Sequence, residues 1–148
     1  MEITLNNLDN FIDSRDVIAR IKELEEEYEG LEKEVERAKL ETDLEESEDV
    51  ESAQQAMDDW NEEKKELEML RVLMEDGESC SSDWHHGETL IRYDHFEDYC
   101  MELCEDCGYV PKEFPGFIVI DWSATADNLK ADYDTVDFDG VEYYIRST

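Results

Sequence analysis

The sequence predicts an α+β protein in which an N-terminal antiparallel helical hairpin of the coiled-coil type precedes a small α+β domain that ends in a β-hairpin. Three observations support this fold class. An apolar series with a 3.5-residue period runs through the first half, Asp139-Gly140 separates two alternating runs near the C-terminus, and the aromatic residues concentrate in the second half. We therefore divide the chain into an acidic helical unit, residues 1–79, and an α+β unit, residues 80–148.

A first helix is predicted from about residue 14 to about residue 40. Asp13 or Ser14 can cap its start. Between Ile21 and Ala38 every position off the apolar seam except Gly30 is polar or charged, so this helix needs a partner to bury the seam. The seam residues are spaced three and four apart: Ile21, Leu24, Tyr28, Leu31, Val35 and Ala38.

A second apolar series keeps the same period from Val50 to Met74, with Lys64 and Arg71 on its seam. Ser47 is followed by acidic residues, which is typical of a helix N-terminus. The connecting stretch 41–46 (ETDLEE) contains no Gly or Pro. Two arrangements therefore stay open, an antiparallel hairpin and one long helix that dimerises.

The second unit begins after a segment, residues 78–88 (ESCSSDWHHGE), that we interpret as a linker. Thr89–Tyr93 (TLIRY) has the composition of a strand. Asp94 with Glu97 three residues later predicts a capped helix, which Gly108 ends.

The rest of the second unit is predicted from three further signals. Phe117–Ile120 (FIVI) is either a strand or a buried lead-in to a helix that Asp121 caps. The runs on either side of Asp139-Gly140 alternate apolar and polar residues, which is the strongest short-range signal of a β-hairpin. About three strands and two helices are expected in this unit.

The composition excludes several functions. The chain has 44 acidic and 13 basic residues and a formal net charge of -31. A surface this negative repels phosphate backbones and anionic lipids, which excludes direct nucleic-acid and membrane-surface binding. No long apolar run and no basic segment followed by an apolar one is present, so we expect a cytoplasmic protein.

Zinc is the most plausible metal on residue type, because Cys104 and Cys107 form a C-x2-C pair. Structural zinc sites normally use two well-spaced pairs, and only one is present. Cys100 and Cys104 fall on the same helical face as apolar residues, so we interpret them as small buried side chains and expect no metal and no cofactor. The other residues that could take part in a site are Cys80, His85, His86 and His95.

Calcium binding and catalysis find less support. Four aspartates lie between residues 132 and 139, but Val136 stands where an EF-hand loop needs an oxygen ligand. The sequence contains no GxSxG, no phosphate-binding glycine-rich loop, no HExxH and no zinc-deaminase signature. We therefore predict that the protein is not an enzyme.

The charge density of the first helix indicates what kind of partner it fits. Residues 22–37 contain eight Glu and three basic residues. At about 1.5 Å per residue they span about 24 Å, or one acidic group per about 3 Å. Duplex DNA carries one charge per about 1.7 Å. Two such helices approach that density, which favours a partner with a basic groove.

Residues 84–146 resemble a group of small acidic phage and plasmid proteins that includes the ArdA-type antirestriction proteins. The resemblance rests on GETLIRYDHFEDYCMELCEDCG (87–108) and on IDWSATADNLKADYDTVDFDGVEYYIR (120–146). It implies a DNA mimic that occupies the DNA-binding surface of a type I restriction enzyme. A CRISPR effector is an equal candidate, because its nucleic-acid channel is also basic. ArdA-type proteins combine several small α+β units and dimerise, whereas this chain has one unit after a helical extension.

We predict that the chain inhibits a basic DNA-binding protein or nuclease complex through exposed acids of both units. The alternative is a coiled-coil structural or adaptor protein, whose seam residues Leu24, Leu31 and Val35 assemble with themselves or with a partner helix. A homodimer is compatible with both. The acids predicted to bind the partner are Glu25, Glu26, Glu29 and Glu32 in the first helix, and Asp127, Asp132, Asp134, Asp137 and Asp139 near the C-terminus.

Overall fold

A four-stranded antiparallel sheet in the order β1-β2-β4-β3 organises the structure. The computed structural model describes residues 4–41, 48–111, 113 and 115–148. β1, which belongs to the N-terminal part of the chain, pairs with β2 and was not expected from the sequence. The strands are β1 (Phe11–Asp13), β2 (Thr89–Arg92), β3 (Tyr133–Phe138) and β4 (Val141–Arg146).

Helices cover both faces of this sheet, and the α+β fold class is confirmed. Short 3-10 turns stand at Tyr93–His95 and Lys130–Asp132. Within the described ranges, none of the helices combines the length and the apolar composition needed to cross a membrane. The α-helices are α1 (Ser14–Glu41), α2 (Glu48–Asp58), α3 (Asn61–Cys80), α4 (Trp84–Gly87), α5 (Phe96–Asp106) and α6 (Trp122–Leu129).

The N-terminal helices form an antiparallel hairpin within one chain, since α2 and α3 both pack against α1. Nε of Arg20 donates to Oε1 of Glu66 at 3.0 Å, and Nε1 of Trp60 donates to Oε2 of Glu27 at 3.2 Å. Between these two contacts the residue number rises from 20 to 27 in α1 and falls from 66 to 60 on the partner side, so α1 and α3 are antiparallel. The alternative prediction of one long helix that dimerises is therefore wrong. The predicted turn at 41–46 and the Ser47 cap fall, apart from Glu41 at the end of α1, outside the described residues.

The second predicted helix is broken into α2 and α3 at positions 59 and 60. Trp60 is buried there, and the centroid of its ring lies 5.3 Å from the centroid of the Tyr28 ring. Lys64 and Arg71 are exposed rather than buried on the seam, which corrects the prediction, although Nη2 of Arg71 donates to Oε1 of Glu25 on α1 at 3.1 Å. Leu67 is buried as its seam position predicts, and Leu70 and Leu73 are buried beside it.

Two apolar clusters hold the layers together, one on each face of the sheet. Successive strand residues point to opposite faces, so Leu90 joins the cluster with α1 and α3 while Ile91 joins the cluster with α5 and α6. In the same way Tyr143 and Tyr144 contribute to different clusters. Residues on both sides of position 79 share the first cluster, and the predicted domain boundary at 79/80 stays a prediction.

The predicted linker at 78–88 is structured, which corrects the sequence interpretation. α3 continues to Cys80, and Trp84 in α4 is fully buried. The hydroxyl of Ser14 donates to the carbonyl of Trp84 at 2.7 Å and accepts from the backbone N–H of Glu88 at 2.6 Å. The Ser-rich composition suggested a loop. The contacts that order the segment join residues about 70 positions apart, so they leave no local signal in the sequence.

The predicted start of α5 is wrong, whereas its predicted end is confirmed. Asp94 pairs with Arg92 and lies in a 3-10 turn, so it does not cap α5 as expected. Gly108 ends the helix with a φ of +73°. The N–H of Tyr109 donates to the carbonyl of Cys104 at 2.9 Å, and the N–H of Gly108 donates to Glu105 at 3.1 Å. These two bonds are the Schellman pattern of a helix C-terminus.

The segment before α6 departs from prediction, whereas the helix itself does not. Phe117–Ile120 forms no strand, and both Phe117 and Val119 are 86% exposed, so the expectation of a buried run is wrong. Asp121 caps α6 as predicted, since its Oδ1 accepts from the N–H of Ala124 at 3.0 Å.

The C-terminal β-hairpin is confirmed with the predicted turn. Val136 pairs with Tyr143 and Phe138 with Val141, leaving Asp139 and Gly140 as a two-residue loop. Their φ values are +51° and +80°. Positive φ at both central positions is the type I′ geometry that Asp-Gly favours.

Candidate functional site

Among the residues whose exposure the structure describes, the acidic ones lie at least partly on the surface, which follows from the cost of removing an ionised carboxylate from water. All nine acids that the sequence nominated are exposed. The structure places them in two groups, one on α1 and one on the C-terminal elements.

Three of the four nominated acids on α1 share one stripe. Glu25, Glu29 and Glu32 are four and three residues apart, so they follow one face of a helix with 3.6 residues per turn. Glu36 continues the stripe one turn further and was not nominated, although its spacing from Glu32 gave the signal. Glu26 lies about 100° around the helix from Glu25.

The outermost face of α1 is mixed in sign. Glu26 shares that face with Lys22, Lys33 and Arg37, by helical spacing. A second acidic stripe, containing Glu27 and Glu34, lies on the far side of these residues. The acids of α1 therefore form two flanking stripes rather than the single ridge that the composition suggests.

The C-terminal group follows the edge of the sheet. Asp134 and Asp137 belong to β3, an edge strand, and Asp139 lies in the turn beyond it. Asp132 precedes β3 in a 3-10 turn, and Asp127 is on α6. Four of the five nominated aspartates thus border one edge, at about 3.3 Å per residue along the strand.

Local hydrogen bonds hold several of these carboxylates in place. Oδ2 of Asp134 accepts from the hydroxyl of Ser147 at 2.6 Å. Oδ1 of Asp137 accepts from the N–H of Gly140 at 3.0 Å, which closes the hairpin turn. Their strand positions put Asp134 and Asp137 on opposite faces of the sheet, so they do not converge as calcium ligands do.

Much of the basic charge is engaged within the chain. Hydrogen bonding to Glu66 raises the pKa of Arg20, against the opposing effect of burial. Hydrogen bonding to Asp127 likewise raises the pKa of Lys130. Each pair also neutralises the carboxylate that it contacts, and three of the nominated acids, Glu25, Glu29 and Asp127, are paired in this way with Arg71, Lys33 and Lys130. Among the described residues, the Lys and Arg side chains within 4.0 Å of a carboxylate oxygen include Arg15, Arg20, Lys33, Arg71, Arg92 and Lys130.

The cysteines do not converge on a metal. Cys100 is fully buried in the cluster beside α5 and α6, whereas Cys80 packs against the cluster on the opposite face of the sheet. Burial raises the pKa of the Cys100 thiol to about 11, which disfavours the thiolate that zinc requires. In the part of the chain that the structure describes, no three Cys, His, Asp or Glu residues form a metal-binding group.

The nominated imidazoles are also dispersed. Nε2 of His85 lies 3.2 Å from Glu78, and the ring of His95 packs edge-on against Phe11 with centroids 4.9 Å apart. Cys104 is half-buried on α5, and Cys107 is exposed just beyond its end.

The surface holds one further feature that the sequence interpretation missed. Phe117, Ile118 and Val119 are exposed, although an apolar run between Pro-Gly and an acidic residue suggested burial. No local signal reveals such exposure, because it depends on whether another element covers the segment.

Comparison with known proteins adds no relative. No family model, no curated protein and no solved structure matches this chain.

Proposed function

We propose that this chain is a non-enzymatic DNA-mimic inhibitor of phage or mobile-element origin. It occupies the basic nucleic-acid-binding surface of a defence complex, either a restriction enzyme or a CRISPR effector, in the cytoplasm of the host cell. The observation that carries the proposal is the exposure of the acids: none with described exposure is buried, and the net charge is -31. Such a surface attracts a cationic cleft and accelerates encounter with it.

The spacing of the acids supports mimicry of the field around DNA rather than of individual phosphates. Glu25, Glu29, Glu32 and Glu36 cover about 16 Å of α1, or one carboxylate per about 5 Å. The aspartates along β3 are spaced by about 8 Å on average. Each row is sparser than a DNA strand, with one phosphate per about 3.4 Å. Several rows must therefore act together, and no single acid dominates.

The resemblance of residues 84–146 to ArdA-type proteins suggests the class of target. These residues include α5, α6 and the β-hairpin, which carries the edge row of aspartates. Under this proposal the α1 stripes add a second charged surface, which extends the contact beyond that of one α+β unit.

The adaptor alternative gains no support from the seam. Leu24 and Val35 are buried within the chain, and α2 and α3 pack on the face of α1 that a partner helix would need. With α2 and α3 on this seam, Leu24 and Val35 are not accessible to a second coiled-coil strand.

The test is competition for DNA binding. The purified chain is titrated into DNA-binding assays of a type I restriction enzyme and of a Cas9-type effector. The wild type should displace DNA from at least one of them. Replacing Glu25, Glu29, Glu32 and Glu36 together by Gln should weaken competition at least about tenfold, because four contributing charges are lost.

Two controls make this result specific to charge. The same four positions changed to Asp keep the net charge and should retain most of the competition. Glu29→Gln alone should change it by no more than about twofold, since a single exposed charge contributes little. Failure of the wild type to displace DNA from either complex would contradict the proposal. Complete loss from Glu29→Gln in a folded protein would indicate a specific site instead of a distributed field.

A further inference from the structure

The most unusual surface outside the acidic rows is an apolar patch formed by residues 117–119 in the connection between α5 and α6. Phe117 and Val119 are each 86% exposed, and Ile118 is 47% exposed. Isolated exposed apolar side chains are common, but three large ones in succession are not. Both faces of the sheet are covered by helices, so this patch is not a gap in the core.

The patch continues into a groove. A cavity of about 610 Å³ lies between this segment and the end of α5. Its apolar wall includes Val110, Pro111, Ile118 and Trp122. Glu105 and Asp106 lie on its other side and are exposed. An apolar surface bordered by carboxylates is therefore open to solvent.

The charge around the patch decides what can cover it. Asp121 follows it after Ile120, and the whole chain carries a net charge of -31. A second copy of this chain would bring the same acids against Glu105 and Asp106, and an anionic membrane would also be repelled. A protein surface with an apolar hollow surrounded by Lys and Arg matches both the shape and the sign.

We propose that residues 117–119 insert into an apolar hollow, rimmed by Lys and Arg, on the basic target complex. This inference rests on the proposed function and adds to it an anchor that DNA lacks. The acids steer and orient the encounter, and the buried apolar side chains slow dissociation. The inhibitor thereby gains affinity that salt does not screen.

The test compares binding of three proteins to whichever defence complex the wild type competes on. They are the wild type, the double variant Phe117→Ser with Val119→Ser, and the control Leu40→Ser. Leu40 is 83% exposed on α1, so its replacement removes a comparable apolar side chain outside the patch. Dissociation constants are measured over a series of salt concentrations, together with thermal unfolding of each protein.

The double variant should bind at least about tenfold more weakly at every salt concentration, with an unchanged dependence on salt, because only apolar burial is lost. Leu40→Ser should bind within about twofold of the wild type. If the double variant unfolds, Phe117→Ser and Val119→Ser are measured singly, and each should weaken binding without changing the salt dependence.

Three results would overturn the inference. Unchanged binding by a folded double variant, while the wild type binds, removes the anchor and leaves the DNA-mimic proposal intact. Absence of wild-type binding to either complex removes the proposed function and the anchor with it. A wild-type dimer in sedimentation that the double variant converts to monomer assigns the patch to a second copy of this chain.

Discussion

The indole ring of Trp84 lies against the backbone of Gly77, where α3 approaches its end and α4 follows. A Cβ built on Gly77 would lie 2.3 Å from Cζ3 of Trp84, closer than any real contact. Both residues are buried, and the ring is fully enclosed. Glycine is therefore required at position 77 by packing rather than by backbone conformation.

Gly77→Ala should destabilise the protein by about 1–3 kcal/mol, because the ring must move within a packed core. Gly30→Ala is the matched control. A Cβ at Gly30, in the middle of α1, meets nothing within 4 Å, so the substitution should stabilise the helix by about 0.8 kcal/mol. Urea unfolding of both variants measures the two free energies. Changes of the same sign would contradict the packing assignment.

We expect Cys100 to make the free energy of unfolding fall at alkaline pH. Burial raises its pKa from 9.0 to about 11. Between these values the unfolded chain has released a proton that the folded chain retains, so the stabilisation is complete below about pH 9 and is lost as the pH rises through 11. The loss should reach about 2 kcal/mol by pH 10.5.

The corresponding measurement is urea unfolding of the wild type and of Cys100→Ala at pH 8 and pH 10.5. The wild type should lose more stability between the two pH values than the variant does, by about 2 kcal/mol. Burial also raises the pKa of Cys80 and Tyr143, which remain in both proteins and cancel in the comparison. Equal losses would show that Cys100 ionises as easily in the folded chain as in the unfolded one.

At the scale of elements, α6 depends on its N-terminal cap. It has eight residues, too few to be stable as an isolated helix. Asp121→Ala should cost about 1 kcal/mol, because the N–H of Ala124 loses its acceptor. Asp121→Asn keeps an acceptor and should cost less. Thermal unfolding distinguishes the two, and an equal cost would argue against a capping role.

Elements with signals in adjacent residues could be predicted from the sequence. The hairpin follows from Asp139-Gly140 between two alternating runs, and the start of α6 follows from Asp121. The bounds of α1 could be predicted closely because the six apolar residues of its seam, between Ile21 and Ala38, keep one period. In the site, the sequence was enough to nominate Glu25, Glu29 and Glu32 as exposed acids, but their common stripe was described only from the observed helix.

Elements that depend on distant partners could not be predicted. β1 has three residues and exists through pairing with β2, about 80 positions away. The composition around α4 is typical of a linker. The helix is ordered by the burial of Trp84 against Gly77, which requires the folded hairpin and leaves no local signal. Asp94 has the spacing of a cap, yet Arg92 competes for its carboxylate. The exposure of residues 117–119 likewise depends on the whole fold and not on neighbouring residues.

For the molecule as a whole, self-repulsion opposes folding. A net charge of -31 on 148 residues concentrates like charges in the folded state. Salt screens this repulsion, with a Debye length that falls from about 30 Å at 0.01 M to about 3 Å at 1 M. The melting temperature should therefore rise with NaCl over this range, as measured by circular dichroism.

The variant with Gln at positions 25, 29, 32 and 36 carries four fewer negative charges and provides the comparison. Its melting temperature should rise less with salt than that of the wild type, because less repulsion remains to be screened. A melting temperature that falls with salt would mean that the intramolecular ion pairs, rather than the repulsion, dominate the electrostatics of the fold.

The most direct measurement of DNA mimicry is the salt dependence of binding between the purified wild-type chain and the defence complex from which it displaces DNA. If the acidic surface occupies the cationic DNA cleft, the association constant should fall by at least about a hundredfold between 50 mM and 200 mM salt, in parallel with that of DNA itself. An association constant that stays constant over this interval would show that the carboxylates do not occupy that cleft.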